Sequence, residues 1–312
     1  MIRKQPPLVF AGLILGLFGL ANLLASHHIL LYHVFSGLGL LCWLWLSFFL
    51  LSHLPNLFRD LQEAPLASSF ATYPMSSMLL AAYLSSFAGP WLGLAKILWF
   101  LAFLVHLLLI LYFTRKFYPY LRQGKISPSW TVLYVGIAMA ALTGQVVQVP
   151  FLAWFGFVFG LVLSLLLYPF IFQLLARGTL PSGLRPQLAI FCAPFSLLLA
   201  AYIKLAAADF NQPFLLILFL LAQSFYLFAL FFVRKIIREP FLPSFSALTF
   251  PLVISALSYK LSLPLLGLTQ PFFLALGLVE EGLALLVLIY VLKSYLVYFG
   301  QTDEGLIKND ET

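Results

Sequence analysis

Ser246-Ala247-Leu248-Thr249-Phe250-Pro251-Leu252-Val253-Ile254-Ser255 lies inside an apolar run long enough to cross a bilayer, yet it carries a proline where a membrane helix is continuous. Proline has no N–H to offer the carbonyl four residues back, here Ala247, and its ring kinks a helix. A carbonyl freed in hydrocarbon is costly unless another group satisfies it, so such breaks face protein or a water-filled path. The pattern Ser-x-x-Thr-aromatic-Pro occurs earlier as Ser69-Phe70-Ala71-Thr72-Tyr73-Pro74, and a third apolar segment carries Ala193-Pro194 at mid-length. Broken helices that recur suggest a pore or transport site built from repeats.

The surrounding composition sets the class. Of 312 residues, 63% are hydrophobic and only 9% charged, against roughly 25% charged in soluble domains. The chain is therefore an all-α, polytopic membrane protein. Seventeen basic and ten acidic residues give +7, but no soluble fold is present to gather that charge into a nucleic-acid face. Cys42 and Cys192 both lie in apolar runs and read as free thiols, without metal-ligand spacing. Met1-Ile2-Arg3-Lys4 followed by apolar residues mimics a signal peptide. It lacks a convincing small-x-small cleavage site, so it reads as an uncleaved first span.

About 20 apolar residues cross the hydrocarbon core, and that ruler predicts ten spans: 7–26, 30–53, 69–88, 91–114, 129–147, 150–176, 186–206, 212–236, 244–264 and 269–298. Connections after odd spans are short, and those after even spans are longer and charged. The pattern is five helical hairpins, forming a membrane domain over 1–300 with a polar tail over 301–312 expected to be disordered. Lysine and arginine mark cytoplasmic loops. Fourteen fall on the side of the N-terminus and the even-span connections, while Lys96, Lys204 and Lys260 alone fall opposite. Both termini are thus expected in the cytoplasm.

The hairpins behave as a repeat of architecture. Pro194 follows Pro74 by 120 residues, and Pro251 follows Pro194 by 57. Equivalent points in spans 1 and 5 fall near Ile14 and Tyr134, where glycines gather instead: Gly12, Gly16 and Gly19, and Gly136. Glycine lets backbones approach closely. Five like-oriented odd spans then surround an axis, with the even spans as a lipid-facing belt.

No nucleophile–base pair, phosphate loop or metal cluster is present in the pattern, so neither catalysis nor a cofactor is expected. His27, His28, His33, His53 and His106 read as interfacial or hydrogen-bonded residues. Phe250, at the repeated kink between Thr249 and Pro251, is the candidate gate, because an apolar constriction closes a pore by excluding water. The half-helix starting at Pro251 aims its positive end at the membrane's middle, which suits an anion. Lys204 and Lys260 stand ten and nine residues after Pro194 and Pro251, about 14 Å outward at 1.5 Å per residue. They read either as an electropositive outer vestibule or as lysines snorkelling to headgroups. Glu280 and Glu281 lie deep in span 10, where a carboxylate is expensive. The leading account is pairing with Lys260, Lys96 or a polar neighbour; the alternative is a proton-coupling carboxylate.

These residues carry a resemblance. Pro128-Ser129-Trp130 leading into Tyr134-Val135-Gly136-Ile137, Ala193-Pro194, Thr249-Phe250-Pro251, and Phe10-Ala11-Gly12 with Gly16-Leu17 resemble the tellurite-resistance/dicarboxylate transporter family over about residues 7–298. That family includes the TehA proteins, fungal malate permeases and sulfite pumps, and the plant slow-type anion channels. Ile14 stands where many relatives have proline, and Ile137 where many have asparagine. The resemblance implies a quasi-fivefold pore lined by the odd spans, among them Thr72, Tyr73, Pro74, Gly136, Pro194, Thr249 and Pro251, closed by Phe250, in a homotrimer. Taken together, the expectation is an anion channel of the cytoplasmic membrane. The alternatives are a proton-coupled carrier of C4-dicarboxylates or sulfite, and a sensor or scaffold with a vestigial pore.

Overall fold

Four of the five tight turns hold a residue with φ between +47° and +76°, namely Gly89, Gln148, Ala207 and Gly267. In four hairpins proline stands first or second in the helix that follows the turn: Pro90, Pro150, Pro213 and Pro271. At those positions the missing N–H has no intrahelical partner to lose. The remaining turn uses the His28 side chain, which accepts from the Leu30 N–H and caps the next helix. The computed structural model describes residues 5–301 except 88, 179 and 208. Arg3, Lys4, Lys308 and residues 302–312 of the tail expected over 301–312 lie outside the described residues.

Thirteen α-helices and four 3₁₀ segments make up the described residues, without a strand among them. In order they are α1 (Phe10–Leu24), α2 (Ile29–Ser52), the short α3 (Leu54–Asp60) and α4 (Ala64–Ser69), α5 (Thr72–Ser85), α6 (Pro90–Arg122), α7 (Ser129–Val135), α8 (Met139–Thr143), α9 (Pro150–Arg177), α10 (Ala193–Ala206), α11 (Gln212–Ile236), α12 (Thr249–Leu265) and α13 (Pro271–Gly300). The 3₁₀ segments are Gly136–Ala138, Gly144–Val146, Ser182–Cys192 and Pro243–Leu248.

Eight helical stretches are long and apolar enough to cross a membrane, where ten were expected. The expected spans 1 and 3 are α1 and α5, of 15 and 14 residues. Each reaches roughly 21–23 Å at 1.5 Å per residue, short of a ~30 Å hydrocarbon core. Span 3 is short because the chain turns at Phe70–Ala71, so α4 and α5 are separate helices. Span 4 runs further than expected, to Arg122.

Two classes of helix separate cleanly. The stretches Ser129–Val146, Ser182–Ala206 and Pro243–Leu265 are 83%, 78% and 72% buried, and α1 is buried almost throughout. By contrast α2, α6, α9, α11 and α13 are between 28% and 39% buried, and they present Leu, Ile, Val and Phe outward. Apolar side chains facing outward on five long helices match lipid as the surrounding solvent. The buried helices contact one another in sequence: α1 with α5, α5 with α8, α8 with α10, α10 with α12, and α12 with α1.

The kink expected within a continuous helix at Pro251 takes another form. The backbone is 3₁₀ over Pro243–Leu248 and becomes α-helical at Thr249, so Pro251 is the third residue of α12. Its absent N–H falls in a first turn, where N–H groups lack intrahelical partners anyway. Pro194 is likewise second in α10 and Pro74 third in α5. Each proline follows a break and starts a new helix.

α1 reaches this junction through glycines. The Thr249 hydroxyl lies 3.0 Å from the Gly12 carbonyl and 2.8 Å from the Ser246 carbonyl, with its one proton shared between them. A methyl group at Gly16 would lie 2.6 Å from Thr249 Oγ1 and 2.7 Å from its Cβ. Overpacking of this kind costs about 1–3 kcal/mol. Gly16→Ala should therefore lower the melting temperature of the detergent-solubilised protein by a few degrees. Gly37→Ala, where the added methyl meets nothing within 4 Å, should leave it unchanged. Equal melting of both variants would show that α1 is free to shift away from Thr249.

Candidate functional site

All five buried stretches contribute to one cavity near the N-terminal ends of their α-helical halves. Its walls include Gly12 and Leu15 of α1, Thr72 and Met75 of α5, Val135 and Gly136, Pro194 and Leu197 of α10, and Phe250 and Pro251 of α12. About 650 Å³ is empty of atoms, the mouth included. No charged side chain among the described residues lines it. Three of its hydroxyls are bonded to backbone: Thr72 donates to the Ser69 carbonyl and Thr131 to the Pro128 carbonyl, three residues back in each case, and Ser244 donates to the distant Gly183 carbonyl, each at 2.8 Å. Gln187, buried in the 3₁₀ segment before α10, has a side-chain oxygen without a hydrogen-bond partner.

A second chamber, with about 700 Å³ empty of atoms when its open mouth is included, lies toward the C-terminal ends of the same helices. Gly19 and Asn22 of α1, Leu79 and Ala82 of α5, Leu142 and Thr143 of α8, Gln145, Lys204 of α10, and Val253, Ile254, Leu257 and Leu261 of α12 line it. Phe250 is common to both chambers, and no other residue among those described lines both. The ring stands between them, 5% exposed. Across from it is Gly19, where an added methyl would come 3.3 Å from Phe250 Cδ2. The absence of a side chain at Gly19 is what gives the ring its place.

The other residues singled out from the sequence divide between lining and support. Thr72, Gly136, Pro194 and Pro251 line the first chamber beside Phe250. Tyr73, Pro74 and Thr249 line neither. Tyr73 turns toward α2, with its hydroxyl 2.8 Å from Ser47 Oγ and its ring stacked on Phe70 and Trp43. Thr249 serves the α1–α12 contact, and Pro74 is buried in the first turn of α5. Gln187, Ser246, Thr131, Asn22 and Gln145 were missed. Two of these had a signal: Ser246, as the serine of the repeated Ser-x-x-Thr-aromatic-Pro pattern, and Gln187, as the polar residue of Pro186-Gln187 seven positions before Pro194 in an otherwise apolar run.

Lys204 and Lys260 part company. Lys204 is exposed and lines the second chamber. Lys260 does not line it; its Nζ lies 2.7 Å from Glu281 Oε1, and His27 Nε2 lies 2.6 Å from Glu281 Oε2. Lys260 Nζ and His27 Nε2 are 3.1 Å apart. This cluster joins the α1–α2 turn, α12 and α13. Glu281 is thus held by two nitrogen groups, whereas the neighbouring Glu280 is buried without an ion pair, and its Oε2 has no hydrogen-bond partner. Gln223 and Tyr226 of α11, which interact with it, also carry buried polar atoms without partners. Glu280 lines neither chamber. His106 Nε2 lies 2.8 Å from the Leu133 carbonyl, and His33 Nδ1 lies 3.3 Å from the Tyr83 hydroxyl.

Removing one partner of a largely buried ion pair strands the other charge, while replacing both by apolar groups is often neutral. Lys260→Met should accordingly melt at a lower temperature than the double variant Lys260→Met/Glu281→Leu. The opposite order would mean that Glu281 finds water or His27 alone sufficient.

A family model described as voltage-dependent anion channel (SLAC1) matches residues 6–296. No curated protein matches the chain.

Proposed function

The chain belongs to the voltage-dependent anion channel family, and from that premise we propose that it conducts small anions through a central pore whose constriction is Phe250. The observation that carries this is the shared position of Phe250 between two chambers that all five buried stretches line. The contacts running from α1 through α5, α8, α10 and α12 back to α1 support a quasi-fivefold ring of the odd spans. On this view α1 and α5 complete ten spans with the eight longer stretches, and residues 1–300 form the pore domain. Lysine and arginine placement supports both termini in the cytoplasm, with the first chamber facing inward, and the proposed location is the cytoplasmic membrane. A homotrimer is the assembly that the resemblance implies.

The chemistry of the pore follows from three features. α5, α10 and α12 begin beside the first chamber, and a helix N-terminus carries roughly half a positive charge. Among the described residues, no carboxylate that would repel an anion lines either chamber. Between them the Phe250 ring leaves an apolar passage, which blocks an ion by excluding the water it travels with. Thr72, Gly136, Pro194 and Pro251 shape the path. Tyr73, Pro74 and Thr249 hold the backbone breaks in place.

Anion flux into proteoliposomes tests the gate. Phe250→Ala should raise passive chloride or nitrate flux by roughly tenfold or more, the factor given by about 1.4 kcal/mol off a barrier. Unchanged flux in a folded variant would remove Phe250 as the constriction. One observation favours a carrier instead, namely the buried carboxyl of Glu280 without a cation beside it. A channel keeps its flux in Glu280→Gln. A proton-coupled carrier of dicarboxylates or sulfite would lose uptake that depends on a pH gradient.

A further inference from the structure

Among the described residues, Lys204 is the one formally charged side chain lining either chamber, and it makes no ion pair or hydrogen bond with any of them. It also lines a neighbouring pocket of about 580 Å³, together with Gln145, Gln148, Val149, Pro150 and Trp154. Gln145 is shared by that pocket and the second chamber. The remaining polar groups of the chamber are occupied. Asn22 Nδ2 donates to the Phe18 carbonyl at 2.8 Å. The Thr143 hydroxyl donates to Met139 and accepts from Trp99 Nε1, both at 2.8 Å. Lys204 and Gln145, which line both the chamber and the neighbouring pocket, and Gln148 of that pocket thus have no hydrogen-bond partner among the described residues, and they sit together at the mouth.

We infer that Lys204, Gln145 and Gln148 form an entry subsite for a monovalent anion, from which the ion passes into the second chamber. The class of ion follows from counting charge, and it rests on the pore proposed above. The self-energy of an ion in a poorly polarisable medium grows with the square of its charge, so a dianion pays about four times the desolvation of a monoanion of the same size. Repayment requires opposite charge nearby, and here there is one ammonium. Lys260, which would supply a second, is already neutralised by Glu281. One ammonium and two neutral amides therefore match chloride, nitrate or a monocarboxylate, and leave a C4-dicarboxylate half unpaired. Lys204 is exposed, so it attracts without trapping, and its pull weakens as salt screens it.

Trp154 in the same pocket provides a readout independent of gating. Iodide is a monovalent anion that quenches indole fluorescence on contact. Titrated into the solubilised protein at constant ionic strength, it should give a saturable quench, lost in Trp154→Phe. In Lys204→Gln the midpoint should move at least about fivefold higher, the factor for one charge at ~4 Å in water. Lys204→Arg should retain the wild-type midpoint, and Gln145→Ala/Gln148→Ala should lie between. Nitrate and chloride should displace iodide, and succinate should not. A purely linear quench, a midpoint indifferent to Lys204→Gln, or succinate competing as well as nitrate would each overturn the subsite. Failure of Phe250→Ala to raise flux would overturn the pore while leaving these binding results to stand or fall on their own.

Discussion

The hydroxyl of Thr249 holds the molecule's two most constrained backbones together. It lies between the Gly12 carbonyl of α1 and the Ser246 carbonyl within the 3₁₀ segment. A 3₁₀-to-α change inside an apolar bundle leaves backbone groups that lipid cannot solvate. The break is tolerable only where protein covers one side and a cavity lies on the other. α1 supplies the cover, and it can do so at this distance because Gly12, Gly16 and Gly19 face Ser246, Thr249, Phe250 and Val253. From that contact follow the direction in which α12 starts, the position of Phe250, and the separation of the two chambers.

Each buried stretch meets the same demand in its own way. α5, α10 and α12 restart with proline near the break, the α7–α8 stretch passes through a 3₁₀ turn at Gly136, and α1 stays continuous but sheds side chains. Five local solutions to one constraint explain why the repeat is visible in architecture and faint in sequence. The belt helices face no such demand. They need only apolar faces for lipid and proline or a cap to leave each turn.

Much of this was legible beforehand. Apolar runs of membrane length, their alternation of short and charged connections, and the Thr-aromatic-Pro repeat led to hairpins and to Phe250. What was missed came from using the helical rise without the helical phase. At about 100° per residue, Lys204 lies eleven residues after Ala193, within roughly 20° of the face that carries Ala193 and Leu197 into the cavity. Lys260 lies ten residues after Phe250, about 80° off the face of Phe250, Leu257 and Leu261, and so meets α13. The same step parts Glu281 from Glu280, sending one to Lys260 and the other toward α11. Side-chain partners between helices far apart in sequence, such as His27 with Glu281, leave no periodic trace at all.

The distribution of charge fits rapid passage better than tight capture. Conduction needs an ion to bind well enough to enter and weakly enough to leave. A lysine buried beside Phe250 would offer a deep well in a medium that screens little, and the ion would stay. Lys204 stands instead at the exposed end of the path, and the first chamber offers only the partial charges of helix ends and of neutral side chains, among them Thr72 and Thr131, which are already bonded to backbone carbonyls. In the proposed pore the field thus declines from a full charge at the mouth to fractional charge at the centre. The dominant barrier is then left to the one element that can move without unfolding anything, the ring of Phe250 opposite a glycine.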